Sequence, residues 1–125
     1  MSTKIELHKL ADTMRDYGFA YLLTVTDDQR TRAVAVTPSA GAIGLTFTDG
    51  LGRGTRANLA NRPDVTLLWP PADADGYTLI ADGRVTVADD VATFVADHAV
   101  LHRPASHGNP AGSGCGNDCA PVGGA

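Results

Sequence analysis

The sequence predicts a mainly β (α+β) protein: a six-stranded antiparallel barrel with an N-terminal helix and a short helix between strands three and four. Three observations carry that expectation. Short runs rich in β-branched and aromatic residues recur from residue 19 onward, each closed by Asp, Gly or Pro. The connections between the first three runs are too short for a crossover, so those strands are antiparallel and read as a meander. Only two stretches, 3–17 and 53–61, carry helical features.

The elements follow in order. Ile5, Leu7, Leu10, Met14 and Tyr17 stand near helical spacing, with Ser2 or Thr3 as cap and Gly18 as stop. Residues 19–26 form the first strand, Asp27 to Arg30 the turn, and residues 31–38 the second strand. Ser39-Ala40-Gly41 turns into the third strand, 42–48, with Ile43, Leu45 and Phe47 alternating with small or polar residues. The short helix, 53–61, is stopped by Pro63, which forces the residue before it out of helical geometry. The fourth strand is 65–69, ended by Pro70-Pro71. The fifth is 77–87, with Gly83 marking a bulge. The sixth starts at Val91 and extends toward His102.

The whole chain has 125 residues, enough for one domain with a modest core. Domain organisation reads as a barrel over 1–102 and a tail over 103–125 dominated by Gly, Pro, Ser and Asn. A net charge of -4 argues against a general nucleic-acid binder. No apolar run reaches the roughly 20 residues needed to span a bilayer, and the N-terminus lacks a signal-peptide core. The expectation is a cytoplasmic protein without membrane partners.

The segment from Arg53 to Pro71 holds the most chemistry. A Gly-rich stretch, Asp49-Gly50-Leu51-Gly52, leads into Arg53, Thr55 and Arg56 at the start of the helix. The first turn of a helix has free N–H groups, and a hydroxyl and two guanidinium groups complete an outline anion site. Arginines there also read as merely solvated side chains. They oppose the helix dipole, however, which prefers acids at that end, and the mismatch points to a phosphate-bearing ligand. No Ser-His-Asp or paired-carboxylate motif is present.

The order of elements resembles the pyridoxamine 5'-phosphate oxidase-like split β-barrels, the flavin and deazaflavin oxidoreductase superfamily. The resemblance covers about residues 10–102. It rests on the 19–36 hairpin, on Leu45-Thr46-Phe47-Thr48-Asp49, on Asn58-Leu59-Ala60-Asn61-Arg62-Pro63-Asp64-Val65-Thr66-Leu67, and on Asp82-Gly83-Arg84-Val85. It implies a homodimer that binds FMN or the deazaflavin coenzyme F-420 at the subunit interface and acts as an oxidoreductase on a small-molecule substrate. The implied cofactor contacts are Arg32, Thr48, Arg53, Thr55, Arg56, Asn58 and Trp69. Arg53 stands where the family often has Ser, and Thr55 where it has Lys. Arg32 also reads as a solvated turn residue, and Trp69 as a core or interface residue. Substrate is expected on the open face of the flavin, near Tyr77 or Trp69. The flavin carries the redox chemistry, so no catalytic side chain is required.

The tail offers a second site. His102, His107, Cys115 and Cys119 are four soft ligands of the kind a tetrahedral zinc takes. The same residues also read as incidental members of a tail, or as a Cys115–Cys119 disulfide. The competing functional reading is therefore a non-enzymatic split barrel that binds a small molecule or a metal. His98 reads as a strand histidine with a local partner, and His8 as an exposed helix residue.

Overall fold

A computed structural model of the chain describes residues 2–104. The first strand, β1, is Ser2–Lys4; a 3-10 turn at Leu7–Lys9 leads into α1, Leu10–Met14. Then come β2 (Ala20–Val25), β3 (Thr31–Val36), β4 (Ser39–Ala40) and β5 (Leu45–Phe47). Helix α2 is Arg53–Asn61, followed by β6 (Asp64–Trp69), β7 (Thr78–Ala88) and β8 (Val91–His102). Every pairing is antiparallel, and the sheet runs β3-β2-β6-β7-β8-β5-β4, with β1 added beside β8. The mainly β class and the helix at 53–61 stand as expected. The strand count does not: seven strands form one path and β1 is an eighth, against the six expected.

Three differences have physical causes. The expected helix over 3–17 is reduced to one 3-10 turn and α1. Strand β8 continues to His102 on its β7 side, but β5 pairs only with Ala92 to Phe94. Residues 100–102 would otherwise show an open edge, and Ser2 to Lys4 pair with it. Ser2 and Thr3 are therefore strand residues and not caps. Leu10 and Met14, four apart, are the buried pair that keeps the remaining turn helical.

The meander also fails after its first hairpin. Among the described residues β3 pairs only with β2 and is an edge strand. Its side chains are mostly exposed, with Val36 the one that is fully buried. Leu45 and Phe47 of the next long run are buried, and β5 pairs with β8 instead, setting Leu45 opposite Phe94. The expected strand at 42–48 is shortened to 45–47 because Ser39–Ala40 folds back on Leu45 and Thr46 as β4.

The core lies on the concave face of the sheet. Ala20 and Leu22 of β2, Val65, Leu67 and Trp69 of β6, Leu79, Ala81 and Val85 of β7, and Phe94 and Ala99 of β8 alternate inward as strand periodicity requires. The bulge expected at Gly83 is present: the β7–β8 register shifts between Asp82 and Gly83. A Cβ at Gly83 would lie 2.3 Å from the Val95 carbonyl oxygen and 2.8 Å from the Phe94 ring, so the strands can approach there only over a glycine. On the convex face the register aligns Ala35, Tyr21, Leu68, Ile80 and Val100 in a row across five strands. Leu68, Ile80 and Val100 are half-buried, Ala35 is exposed, and Tyr21 is 39% exposed. No described helix is long and apolar enough to cross a membrane.

Candidate functional site

Helix α2 joins β5 to β6 and lies on the core-facing side of β2. Leu59 is its one buried side chain. Three polar ties hold the rest. Asn58 Nδ2 donates to Thr24 Oγ1 at 3.1 Å, giving a partner to the one buried polar residue among the described residues. Arg62 Nη1 meets Asp27 Oδ1 at 2.8 Å in the β2–β3 turn. Arg56 Nη2 meets Asp90 Oδ1 at 2.8 Å in the β7–β8 turn.

The loop before α2 is seated against the far end of β3. The Thr37 N–H donates to Asp49 Oδ1 at 3.0 Å. Gly50 has φ +70, in the left-handed region that favours glycine, and a Cβ there would lie 2.7 Å from a Val36 methyl. The helix then starts at Gly52, which has no side chain to cap it, and its first turn carries no acid. The first bond of the helix runs from the Arg56 N–H to the Gly52 carbonyl, 2.9 Å. The N–H groups of Arg53, Gly54 and Thr55 therefore open the helix without an intrahelical acceptor. Added Cβ atoms at Gly52 and Gly54 would meet nothing within 4 Å, so this backbone is open to approach.

The cofactor candidates sort into three groups. Arg53 is exposed and, among the described residues, makes no side-chain hydrogen bond or ion pair. Thr55 is half-buried two residues further on, and Thr48 is exposed just after β5. Arg32 is exposed and pairs across the strands with Thr24, so it shares the sheet face of α2. Its one side-chain hydrogen bond goes to its neighbour, the Thr31 carbonyl, at 3.4 Å. Thr24 is also the partner of Asn58, which lies about 7.5 Å along the helix axis from Arg53.

Arg56 and Asn58 are engaged in holding α2 in place. Trp69 is 1% exposed and sits in the core opposite Leu79, so it presents no face to a ligand in this chain; of its possible roles it takes the core one. Tyr77 is covered by the Arg103 guanidinium, 4.5 Å above its ring.

Of the tail ligands, His102 ends β8 with Nδ1 2.9 Å from Ser2 Oγ. His107, Cys115 and Cys119 lie outside the described residues. Among the described residues no three His, Cys, Asp or Glu side chains gather as a metal site. His98 has the expected partner, Asp82 Oδ2 at 3.6 Å, and Asp82 also accepts a hydrogen bond from Thr66 at 2.6 Å. His8 is exposed beside Glu6. Sequence reasoning missed Asp90 and the Leu51 carbonyl, which accepts from Arg56 Nε at 2.9 Å. Asp89-Asp90 reads only as a turn, and nothing in the linear pattern links it to residue 56.

The chain is 42% identical over 132 residues to an uncharacterized protein of Mycobacterium bovis and to one of Mycobacterium tuberculosis, covering 93% of this chain and 93% of each relative. It belongs to their family. No family model matches it. Among solved structures, an FAD-binding protein from Mesorhizobium loti matches with a TM-score of 0.61 and 11% identity, over 81% of this chain and 96% of that one. The FAD binding protein from Mycobacterium smegmatis matches with a TM-score of 0.60 and 12% identity, over 82% and 100%. A heme storage protein from Vibrio cholerae matches with a TM-score of 0.58 and 11% identity, over 79% and 96%. At these identities the likeness establishes the fold, and the fold is the split barrel that the sequence resembles.

Proposed function

We propose that this protein binds a phosphate-bearing flavin-type cofactor, FMN or the deazaflavin coenzyme F-420, at the N-terminus of α2, and uses it as an oxidoreductase on a small molecule. The observation that carries this reading is the open helix start: uncapped N–H groups, no acid in the first turn, and an exposed, unpartnered Arg53. Free N–H groups and a guanidinium together favour a phosphate. Thr55 and Thr48 would supply hydroxyls, and Arg32 a second cation on the same sheet face. Two solved split barrels of similar fold are described as FAD-binding proteins, which supports a flavin over an unrelated phosphate ester.

The redox chemistry belongs to the cofactor. This chain's part is to grip the phosphate and to hold the loop that presents it. A second copy is the proposed cover for the convex row of Ala35, Tyr21, Leu68, Ile80 and Val100, an apolar band that one copy leaves partly in water.

Titration with FMN and, separately, with the deazaflavin coenzyme tests the reading by absorbance. A saturable spectral shift with one of them, weakened in Arg53→Ala, is expected. Absence of a shift with both cofactors contradicts it.

A further inference from the structure

Arg56 is the basic residue of the 53–56 cluster whose side chain is already committed. Its Nε donates to the Leu51 carbonyl at 2.9 Å and its Nη2 to Asp90 at 2.8 Å. One guanidinium thus joins the loop that opens α2 to the tip of the β7–β8 hairpin. The hairpin tip is itself unusual. Ala88 pairs with Val91, leaving Asp89 and Asp90 as a two-residue turn with φ of 53 and 65.

Turns of that geometry favour Asn-Gly or Asp-Gly, because each residue must be left-handed. Two adjacent acids there carry a backbone cost and a mutual repulsion. Arg56 offsets the charge of one of them. The arrangement spends conformational energy to keep a carboxylate within reach of α2.

We propose that Asp90 is a positioning residue for the anion site, acting through Arg56, and that Arg56 is a strut and not an anion ligand. This rests on the reading of the α2 N-terminus as the phosphate site. The fork of Arg56 holds the Leu51 carbonyl, and Leu51 lies between Gly50, seated on β3, and Gly52, which starts the helix. Fixing Leu51 fixes the direction of the free N–H groups at Arg53 to Thr55.

The two roles for Arg56 predict opposite signs. As an anion ligand, Arg56 would be released by Asp90→Ala, a nearby negative charge would vanish, and phosphate affinity would rise. As a strut, it loses its anchor and affinity falls. The probes are FMN and riboflavin, which share the ring system and differ in the phosphate. Asp90→Ala is expected to weaken FMN binding by about two- to fivefold, the range of a salt bridge with exposed partners, with riboflavin binding unchanged. Asp90→Asn keeps a carbonyl acceptor and tolerates the left-handed turn, so it stays close to wild type. Hydrogen exchange of the unliganded protein is an independent arm: the Arg56 amide, which donates to the Gly52 carbonyl, exchanges faster in Asp90→Ala.

Wild-type protein with equal affinity for FMN and riboflavin overturns the site reading and the strut with it. Wild type that prefers FMN, together with an Asp90→Ala variant that binds FMN equally or more tightly, overturns the strut alone. Unchanged exchange at the Arg56 amide does the same.

Discussion

The sheet and helix α2 are held by different forces. In the sheet, alternating side chains from four long strands interlock: Leu22, Leu67, Leu79 and Phe94 are 0% exposed. Helix α2 buries Leu59 alone and relies on one neutral hydrogen bond and two ion pairs for the rest. Burying a leucine contributes about 1.5–3 kcal/mol, the Asn58–Thr24 bond about 0.5–1.5, and each exposed pair about 0–1. A helix docked in this way opens before the sheet does. The lesson is one of division: apolar interlock makes the frame, and polar ties set the position of the element proposed to carry the anion site.

The comparison breaks first at Phe94. Phe94→Ala removes a ring that fills the core against Val85 and Leu45, and about 3–5 kcal/mol of stability should go with it. Urea denaturation should show one transition moved to lower concentration, with sheet and helix lost together. A loss below 1 kcal/mol would mean the interlock is not what holds the frame.

Leu59→Ala should cost about 2–3 kcal/mol, at the low end for such a truncation because α2 can shift to fill the gap. Here the two regions should separate. Hydrogen exchange should quicken across 53–61 while β7 and β8 keep their protection. Equal acceleration in both would show that helix and sheet open as one unit.

Arg62→Ala removes a tie at the other end of α2 and should cost less than about 1 kcal/mol. Its distinctive mark is salt dependence. The ion pairs of α2 are surface pairs, so salt should speed exchange in the wild-type helix and do so less in the variant. An identical response to salt would place the effect elsewhere.

The smallest effect is expected where the segment after α1 meets the sheet. The Tyr17 hydroxyl donates to the Tyr77 carbonyl at 2.9 Å. Burial, helped by the Asp16 charge, raises its pKa above the ordinary 10.0. A raised pKa means the unfolded chain loses the proton first. The contribution is complete below about pH 10 and is lost as pH rises through the raised value. Stability measured against pH should therefore fall more steeply above pH 10 in wild type than in Tyr17→Phe. Parallel curves would remove Tyr17 from the account.

These contrasts also show what was legible in the residues. The buried strands carry two-residue periodicity, so β2, β6 and β7 stand close to their expected places, and Gly83 marks the bulge because only a glycine fits there. Strand neighbours were harder. Nothing local says that β3 is an edge, or that β5 crosses to β8, because pairing depends on which edges remain open once the long β7–β8 hairpin has formed. Ser2 to Lys4 became a strand for the same reason.

That Arg53 and Thr55 lie in the first turn of α2 could be read in advance. Arg56 could not, because its partner Asp90 lies 34 residues away. Trp69 was ambiguous because an aromatic at a strand end serves a core and a ligand equally well, and only its burial separates the two.

The proposed function depends on the start of α2 gripping a phosphate through Arg53. Comparing FMN with riboflavin by flavin fluorescence, in wild type and in Arg53→Ala, tests it most directly. Wild type should bind FMN at least about tenfold more tightly than riboflavin, the scale of one charge-assisted bond, with the preference largely lost in the variant. Equal binding of the two flavins by wild type, or a preference that survives Arg53→Ala intact, would contradict it.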